Sequence, residues 1–595
     1  MRAGAVAAAI LAVVVYANSL SNDFVYDDNA VVVANRAAHD PADWRAIFLG
    51  PSWGNDLSYR PLTVWTFAAD FALHGPRPFA YHAVNVLGHA GVAAALVLLA
   101  AALGLSPLAA TIAGVLFAVH PVHTEVVANV VGRGEILAAG CVLLALLVQR
   151  RVARAGWPVA GAVATAAIYG AALLAKEYSI ALAALLPLAD LVFTDGRDVA
   201  VFATRLRGGR LVLYGAVAGV TVAYAVLRHA ALGGIVGDLD IVVRWMNPAA
   251  AAPAVARIPT ALGVQALALW RLVAPFHLSA DYSYAEIPLV TSIADPRAIV
   301  GGLVAAALVG TAIVLWRRSR TAFFWLSVAL LTYAVVSNVF FPIGTIFAER
   351  LLYLPSAGFC VLLAMALERV GGGRTAVAVA AVAAVVWAPT TVLRNRVWHD
   401  DLTFGQALVR TAPRSAHAHC TLATTRAILG DRSAARREFG EALRIDPADR
   451  SCRYESAMNA AADLTDHEQF AAALDAADGA IAARPTRPGG YVERGLALRG
   501  LQRFDEAIAA FDEALHLDPK QPDALLDLAA VALDKQDFAL AASAFERLVA
   551  VAPSQQAYRG LVYSYRNGGR ALDAERIAAN ARGRYPGDGF FAPSP

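Results

Sequence analysis

Along the first 395 residues, apolar runs alternate with short polar loops, and each run is near the length a bilayer requires of a helix. The pattern predicts eleven spans, at about 3–20, 82–103, 106–120, 135–149, 157–175, 178–193, 211–228, 298–316, 321–340, 351–368 and 375–393. Arginine clusters orient them, because positive loops stay on the cytoplasmic side. Arg150, Arg151 and Arg154 form one cluster, Arg205, Arg207 and Arg210 a second, Arg317, Arg318 and Arg320 a third, and Arg369 with Arg374 a fourth. An N-terminus inside and eleven crossings satisfy all four. The apolar stretch 256–275 would place the third cluster on the wrong side if it crossed, so it is expected to be interfacial or re-entrant. The first run reads as a retained anchor, since its only basic residue is Arg2 and no clear cleavage site follows. Loops 21–80, 120–134, 229–297 and 341–350, the turn at Lys176-Glu177 and everything after the last span then share the outer face.

Near residue 395 the pattern changes. Charged residues become regular and a period appears: Pro485, Pro519 and Pro553 lie 34 residues apart, with Ala473, Ala507 and Ala541 at matching places before them. Phe470, Phe504 and Phe538 fill an earlier slot, and Gly495 and Ala529 a close-packing one. An earlier copy ends at Pro447, and a four-residue insertion separates it from the next. Small residues that let two helices approach, aromatics between them and a terminating proline describe a helix-turn-helix solenoid similar to tetratricopeptide repeats, over about 415–586. Such a solenoid either packs only on itself or offers a groove to a polypeptide. The domains are expected at 1–395 (membrane) and 396–595 (repeats), and the fold class is all-α.

Composition agrees: only 16% of the residues are charged and the mean hydropathy is +0.52, as in a polytopic membrane protein. A net charge of +3 argues against nucleic acid as a partner. Cys141 and Cys360 lie in apolar runs; Cys420 and Cys452 are free to pair in an oxidising compartment, although their spacing does not require it.

The outer-face loops hold the candidate chemistry. Asp27-Asp28, just past the first span, are either a helix cap or a base at the lipid–water boundary. Arg60, in an aromatic-rich loop, is either solvated or a phosphate ligand. His120, His123 and Glu125 are followed by Arg133 and Glu135; the histidine spacing matches no zinc pattern, so no metal is assigned. Arg133, between Gly132 and Gly134, is read as a phosphate ligand with backbone free to approach, or as an arginine snorkelling to headgroups. Lys176-Glu177 and Glu349-Arg350 either lock turns or line a polar cavity. Trp44, Trp53 and Trp65 are explained by an aromatic belt.

Taken together, Phe24-Val25-Tyr26-Asp27-Asp28, Tyr59-Arg60-Pro61-Leu62, His120 to Glu125, Gly132 to Glu135, Ala175-Lys176-Glu177, Ala348 to Ser356, Arg394-Asn395 and Trp398 resemble the transmembrane and tetratricopeptide repeat-containing family of protein O-mannosyltransferases. The resemblance implies a GT-C fold and transfer of a sugar, with inversion, from a polyprenyl phosphate to a hydroxyl outside the cytoplasm. It puts the acidic motif of such enzymes at Asp27-Asp28. The expected roles are Asp27 as base with Asp28 as alternate or orienter, and Arg133, Arg60, Lys176 and Arg350, in that order, as phosphate holders. Glu125, Glu135, Glu177, Glu349, His120 and His123 support them. The partners are the lipid-linked sugar, membrane lipid and an acceptor polypeptide held by the repeats; no cofactor is required. A bacterial inner membrane with periplasmic repeats is the expected location. Two other readings stay open: a scaffold that recruits envelope proteins, and a transferase acting on a lipid or glycan.

Overall fold

The computed structural model describes residues 1–52, 58–234, 246–250, 252–283 and 285–591. Trp53 lies outside the described residues. The described residues are helical and contain no strand, and they form two compact units, Met1–Ala418 and His419–Pro595. The first unit runs past the composition break near 395 because Trp398, Phe404, Leu408 and Ala418 share a buried cluster with Val25 and Ala128.

A helix occupies each of the eleven predicted runs. Among the described residues six helices are long and apolar enough to cross a membrane: Arg2–Ser21, Pro78–Ala102, Val130–Arg154, Gly209–Leu232, Pro296–Arg318 and Glu349–Trp398. Pro107–Val119 with Pro121–Val127, bent by 50° at His120-Pro121, add a seventh if read as one broken span. Val159–Ala175, Leu182–Phe193 and Arg320–Ala334 are shorter, with 17, 12 and 15 residues. This is an integral membrane protein.

The continuous helical run Tyr353–Asn395 is two helices. His120 packs against Phe359 at 6.1 Å and Trp387 at 4.5 Å between ring centroids. In a straight helix those two residues would stand about 42 Å apart, so the chain folds back. It does so at Gly372, whose φ of +69° and ψ of 177° leave the helical region and suit only glycine. The predicted spans 351–368 and 375–393 are the two arms.

Long-range contacts divide the bundle into two ends. At one, Arg154 donates to the Ala102 carbonyl, Thr321 to that of Leu103, and Ser106 to Glu368. There too Arg210 pairs with Asp190 and Asp195, and Arg197 lies over Trp316. All four arginine clusters therefore gather at a single end. The opposite end holds Asp28 against Val130 and Val131, Arg60 against Glu177, and Arg350 against Glu125.

The stretch read as interfacial or re-entrant is the helix Ala254–Val273, with Arg257 and Arg271 near its ends and Val255, Ile258, Trp270 and Val273 exposed. It packs on Pro296–Arg318 so closely that a Cβ on Gly301 would lie 1.8 Å from the Leu262 carbonyl oxygen. Loop 21–80 is less open than its sequence suggests, for it contains the helices Trp44–Leu49 and Pro61–His74. Trp44 and Trp65 are exposed on them.

In the second unit, helix pairs repeat as the prolines predict. Phe470–Ala483, Phe504–Leu517 and Phe538–Val551 each end two residues before Pro485, Pro519 and Pro553. The ring of Phe511 would meet a Cβ on Gly495 at 2.6 Å, and that of Phe545 one on Gly560 at 2.2 Å, which is why those positions are bare. The four-residue insertion lengthens Arg450–Asp466 to 17 residues, against 13 in Pro488–Gly500 and Pro522–Asp534. Cys420 and Cys452, 32 positions apart in sequence, are joined, with 5.8 Å between their Cα atoms. Closing such a loop in the unfolded chain is worth about 3–4 kcal/mol. Replacing both cysteines by serine is expected to lower the melting temperature of the repeats by several degrees, as circular dichroism would read it.

Candidate active site

Asp28 and Asp27 part company in the structure. Asp28 is fully buried, and its oxygens accept the backbone N–H groups of Val25 (3.2 Å), Val130 (3.3 Å) and Val131 (2.9 Å). It pins the loop after the first span to the turn before Arg133. Burial pushes its carboxyl up to about 7, against the pull of those three N–H donors. Asp27 is exposed, and among the described residues its carboxylate accepts no hydrogen bond. Protein crowds it on its other sides, and this desolvation raises its carboxyl above the ordinary value despite Arg350, His417, Arg60 and Lys176.

Three of the expected cations act on Asp27, each held by its own carboxylate. Arg350 donates from its backbone to Glu125 Oε2 (2.9 Å) and from its guanidinium to Oε1. Arg60 forms a two-pronged pair with Glu177, at 3.0 and 2.8 Å, and Lys176 Nζ lies 2.6 Å from Glu135. Burial would raise the Glu177 carboxyl, but Arg60 and Lys176 hold it far below the usual carboxylate range. Arg228, near the end of Gly209–Leu232, also acts on Glu177. Asp27, Glu125, Glu135 and Glu177 thus interleave with Arg60, Lys176, Arg228 and Arg350 in one charged network.

Arg133 is placed elsewhere. Its side chain is 1% exposed and pairs with Asp70 at 2.6 Å. It also donates to Asn85 Oδ1 (2.9 Å), the Tyr81 carbonyl (3.0 Å) and Thr66 Oγ1 (3.4 Å), and its guanidinium stands 4.7 Å from the Phe67 ring centroid. The flanking glycines admit protein and not a ligand: a Cβ on Gly132 would lie 2.1 Å from the Val126 carbonyl oxygen, and one on Gly134 3.3 Å from that of Ala175. The guanidinium of Arg133 is thus enclosed by protein groups, away from the cations that act on Asp27.

The histidines are likewise engaged. His120 Nε2 donates to the Leu272 carbonyl (3.0 Å) and His123 Nε2 to Ser356 Oγ (2.7 Å), both within a buried aromatic cluster with Phe117 and Tyr353. They tie the bent segment to the hairpin. Glu349 is buried and accepts from Ser279 N (2.6 Å), Tyr282 Oη (2.7 Å) and Arg394 (3.2 Å), clasping loop 278–283. Asn395 donates to the Val15 carbonyl and to Asn18, so the family-like Arg394-Asn395 pair anchors the second hairpin arm. Sequence reasoning missed Arg228, Asp401 and His417; an acidic pair at Asp400-Asp401, opening a helix just after the last span, was the signal available for one of them.

Known proteins are similar to this chain in the same respects. Residues 243–309 match the family described as Protein O-mannosyl-transferase TMTC, DUF1736, and residues 498–562 a tetratricopeptide repeat. The first match carries Ala254–Val273 and the loop that clasps Glu349. Human protein O-mannosyl-transferase TMTC3 is 31% identical over 382 residues, 60% of this chain and 41% of the relative. The Drosophila melanogaster Tmtc3 is 29% identical over 74% of this chain and 55% of its own length, and human TMTC4 28% identical over 72% and 64%. The chain spans about half the length of these curated relatives. Among solved structures, the type IV pilus biogenesis factor PilW matches 34% of the chain at 16% identity and a TM-score of 0.29, too low to carry an argument. With the DUF1736 segment inside a membrane bundle, tetratricopeptide repeats after it and relatives named as TMTC proteins aligned over most of its length, the chain bears out the family resemblance read from its motifs.

Proposed function

We propose that the protein is a glycosyltransferase that moves a sugar, mannose by its relatives' names, from a polyprenyl phosphate to a Ser or Thr hydroxyl of a polypeptide. The observation that carries this reading is Asp27, an exposed carboxylate without a hydrogen bond among the described residues, close enough to Arg350, Arg60 and Lys176 to feel their charges. The acceptor oxygen attacks the anomeric carbon from the face opposite the phosphate, the bond from that carbon to the phosphate oxygen breaks with its electron pair, and Asp27 takes the hydroxyl proton. The configuration inverts. Protonation of Asp27 removes a negative charge beside Arg350, Arg60 and Lys176 just as the departing phosphate gains one. The donor brings its own leaving group, so the step draws on no bound cofactor.

The end of the bundle that collects the four arginine clusters faces the cytoplasm in this reading, which puts Asp27 at the outer, periplasmic face of a bacterial inner membrane. The Cys420–Cys452 bond supports an oxidising location for the repeats, which present the acceptor. Purified protein is expected to transfer label from radiolabelled polyprenyl-phosphate mannose to Ser or Thr of at least one member of a panel of periplasmic proteins, with the anomeric configuration opposite to the donor's. Label that stays on the donor with every protein tested, or that moves only to lipid, would overturn the assignment.

A further inference from the structure

The backbone that carries Asp27 is strained, and the contacts that hold it come from beyond the last membrane helix. Tyr26 has a φ of +58°, in the left-handed region that a bulky residue enters only when its surroundings impose it. Asp401 Oδ1 accepts the Tyr26 N–H at 2.7 Å, and Oδ2 accepts from Asn29 Nδ2 at 3.0 Å, so one carboxylate grips both sides of the Asp27-Asp28 pair. The Tyr26 hydroxyl lies 2.7 Å from His417 Nε2, its ring packs on Phe404 at 5.2 Å, and the Asp23 N–H donates to the His399 carbonyl at 2.9 Å. Asp401 is the first residue of the helix Asp401–Thr411, which is capped by Asp400 accepting from Thr403 N (2.7 Å). The helix fixes where that carboxylate stands, and its N-terminal dipole favours a negative charge there.

We infer that Asp401 is a positioning residue for transfer: by holding Tyr26 in its left-handed conformation it fixes where the Asp27 carboxylate stands, so that the catalytic unit includes the segment 399–417. The inference rests on the proposed role of Asp27 as base. Without Asp401 the Tyr26 N–H loses its acceptor, the peptide relaxes toward negative φ, and the next side chain swings with it.

The test uses the full chain in detergent, as wild type, Asp401→Ala and Asp401→Asn; asparagine keeps an oxygen to accept the Tyr26 N–H. Hydrogen exchange of a peptide spanning 22–30 reads the grip directly, and steady-state transfer reads its consequence. Asp401→Ala is expected to speed exchange at Tyr26 and to lower kcat roughly 10- to 100-fold at unchanged KM for the lipid-linked sugar. Asp401→Asn is expected to restore most of both; if the alanine variant does not fold, Asp401→Ser, whose shorter side chain draws the acceptor back from the Tyr26 N–H, serves as the loss variant with the same expected effects. Faster exchange with wild-type kcat would make Asp401 structural only, and unchanged exchange would remove the grip; either overturns the inference while leaving the transferase reading intact. A wild type that transfers no sugar overturns the transferase reading itself, and the positioning role falls with it, whatever the exchange shows.

Discussion

Asp27→Asn is expected to cut sugar transfer by roughly 10²- to 10⁴-fold, the usual worth of a positioned general base, and to leave the melting temperature unchanged. Asparagine has the shape of aspartate, and no hydrogen bond of Asp27 among the described residues is there to be lost. What disappears is the capacity to take a proton. The pH profile supplies a second reading. Asp27 works deprotonated, and crowding by protein lifts its carboxyl above the ordinary value, so activity in the wild type rises with pH through a group titrating above the usual carboxylate range. That limb should vanish in the variant. Asp28→Asn behaves oppositely: its amide would turn an N–H toward the N–H groups of Val25, Val130 or Val131, costing about 1–3 kcal/mol of stability. Its loss of activity would then come with a lower melting temperature, so the pair of variants separates chemistry from anchoring. Full transfer by Asp27→Asn would remove the proposed base.

The positions of the helices were legible because each depends on local periodicity and on where glycine and proline interrupt it. The runs at 351–368 and 375–393 show this well: the three glycines between them, Gly371 to Gly373, mark a break that structure turns into a reversal. The motif residues could be placed on one face by counting arginines, and the bundle does collect them at one end. Pairings were not legible. Tyr26 and Asp401 are 375 positions apart, and no periodicity connects them. Arg228 sits where a span ends, so sequence alone gives it the look of a snorkelling residue. Arg133 reads as a phosphate ligand in the sequence because Gly132 and Gly134 flank it, and what encloses it comes from the distant loop 21–80. The helix Pro61–His74 inside that loop presents Thr66, Phe67 and Asp70 to the guanidinium, and a helix within a loop changes which charges are already paired.

Arg133→Leu is accordingly expected to fail by unfolding and not by losing its grip on a substrate. The change strands Asp70, whose side chain is only 11% exposed, and leaves the Asn85 oxygen and the Tyr81 carbonyl short of a donor. Breaking a buried pair from one side costs about 3–5 kcal/mol, since the remaining charge keeps its desolvation penalty and loses its compensation. Adding Asp70→Leu removes that charge, so the double variant should recover a large part of the loss although it carries more changes. The recovery is partial because the buried Asn85 oxygen still lacks its donor. Thermal melts of the two single variants and the double in one detergent make the comparison. A phosphate-binding Arg133 would behave differently: the single variant would fold normally, its KM for the lipid-linked sugar would rise, and Asp70→Leu would bring nothing back. The sign of the second substitution's effect on stability therefore decides whether Arg133 serves the fold or the substrate, and the closed shell of Asp70, Asn85, Tyr81 and Phe67 around it argues for the fold.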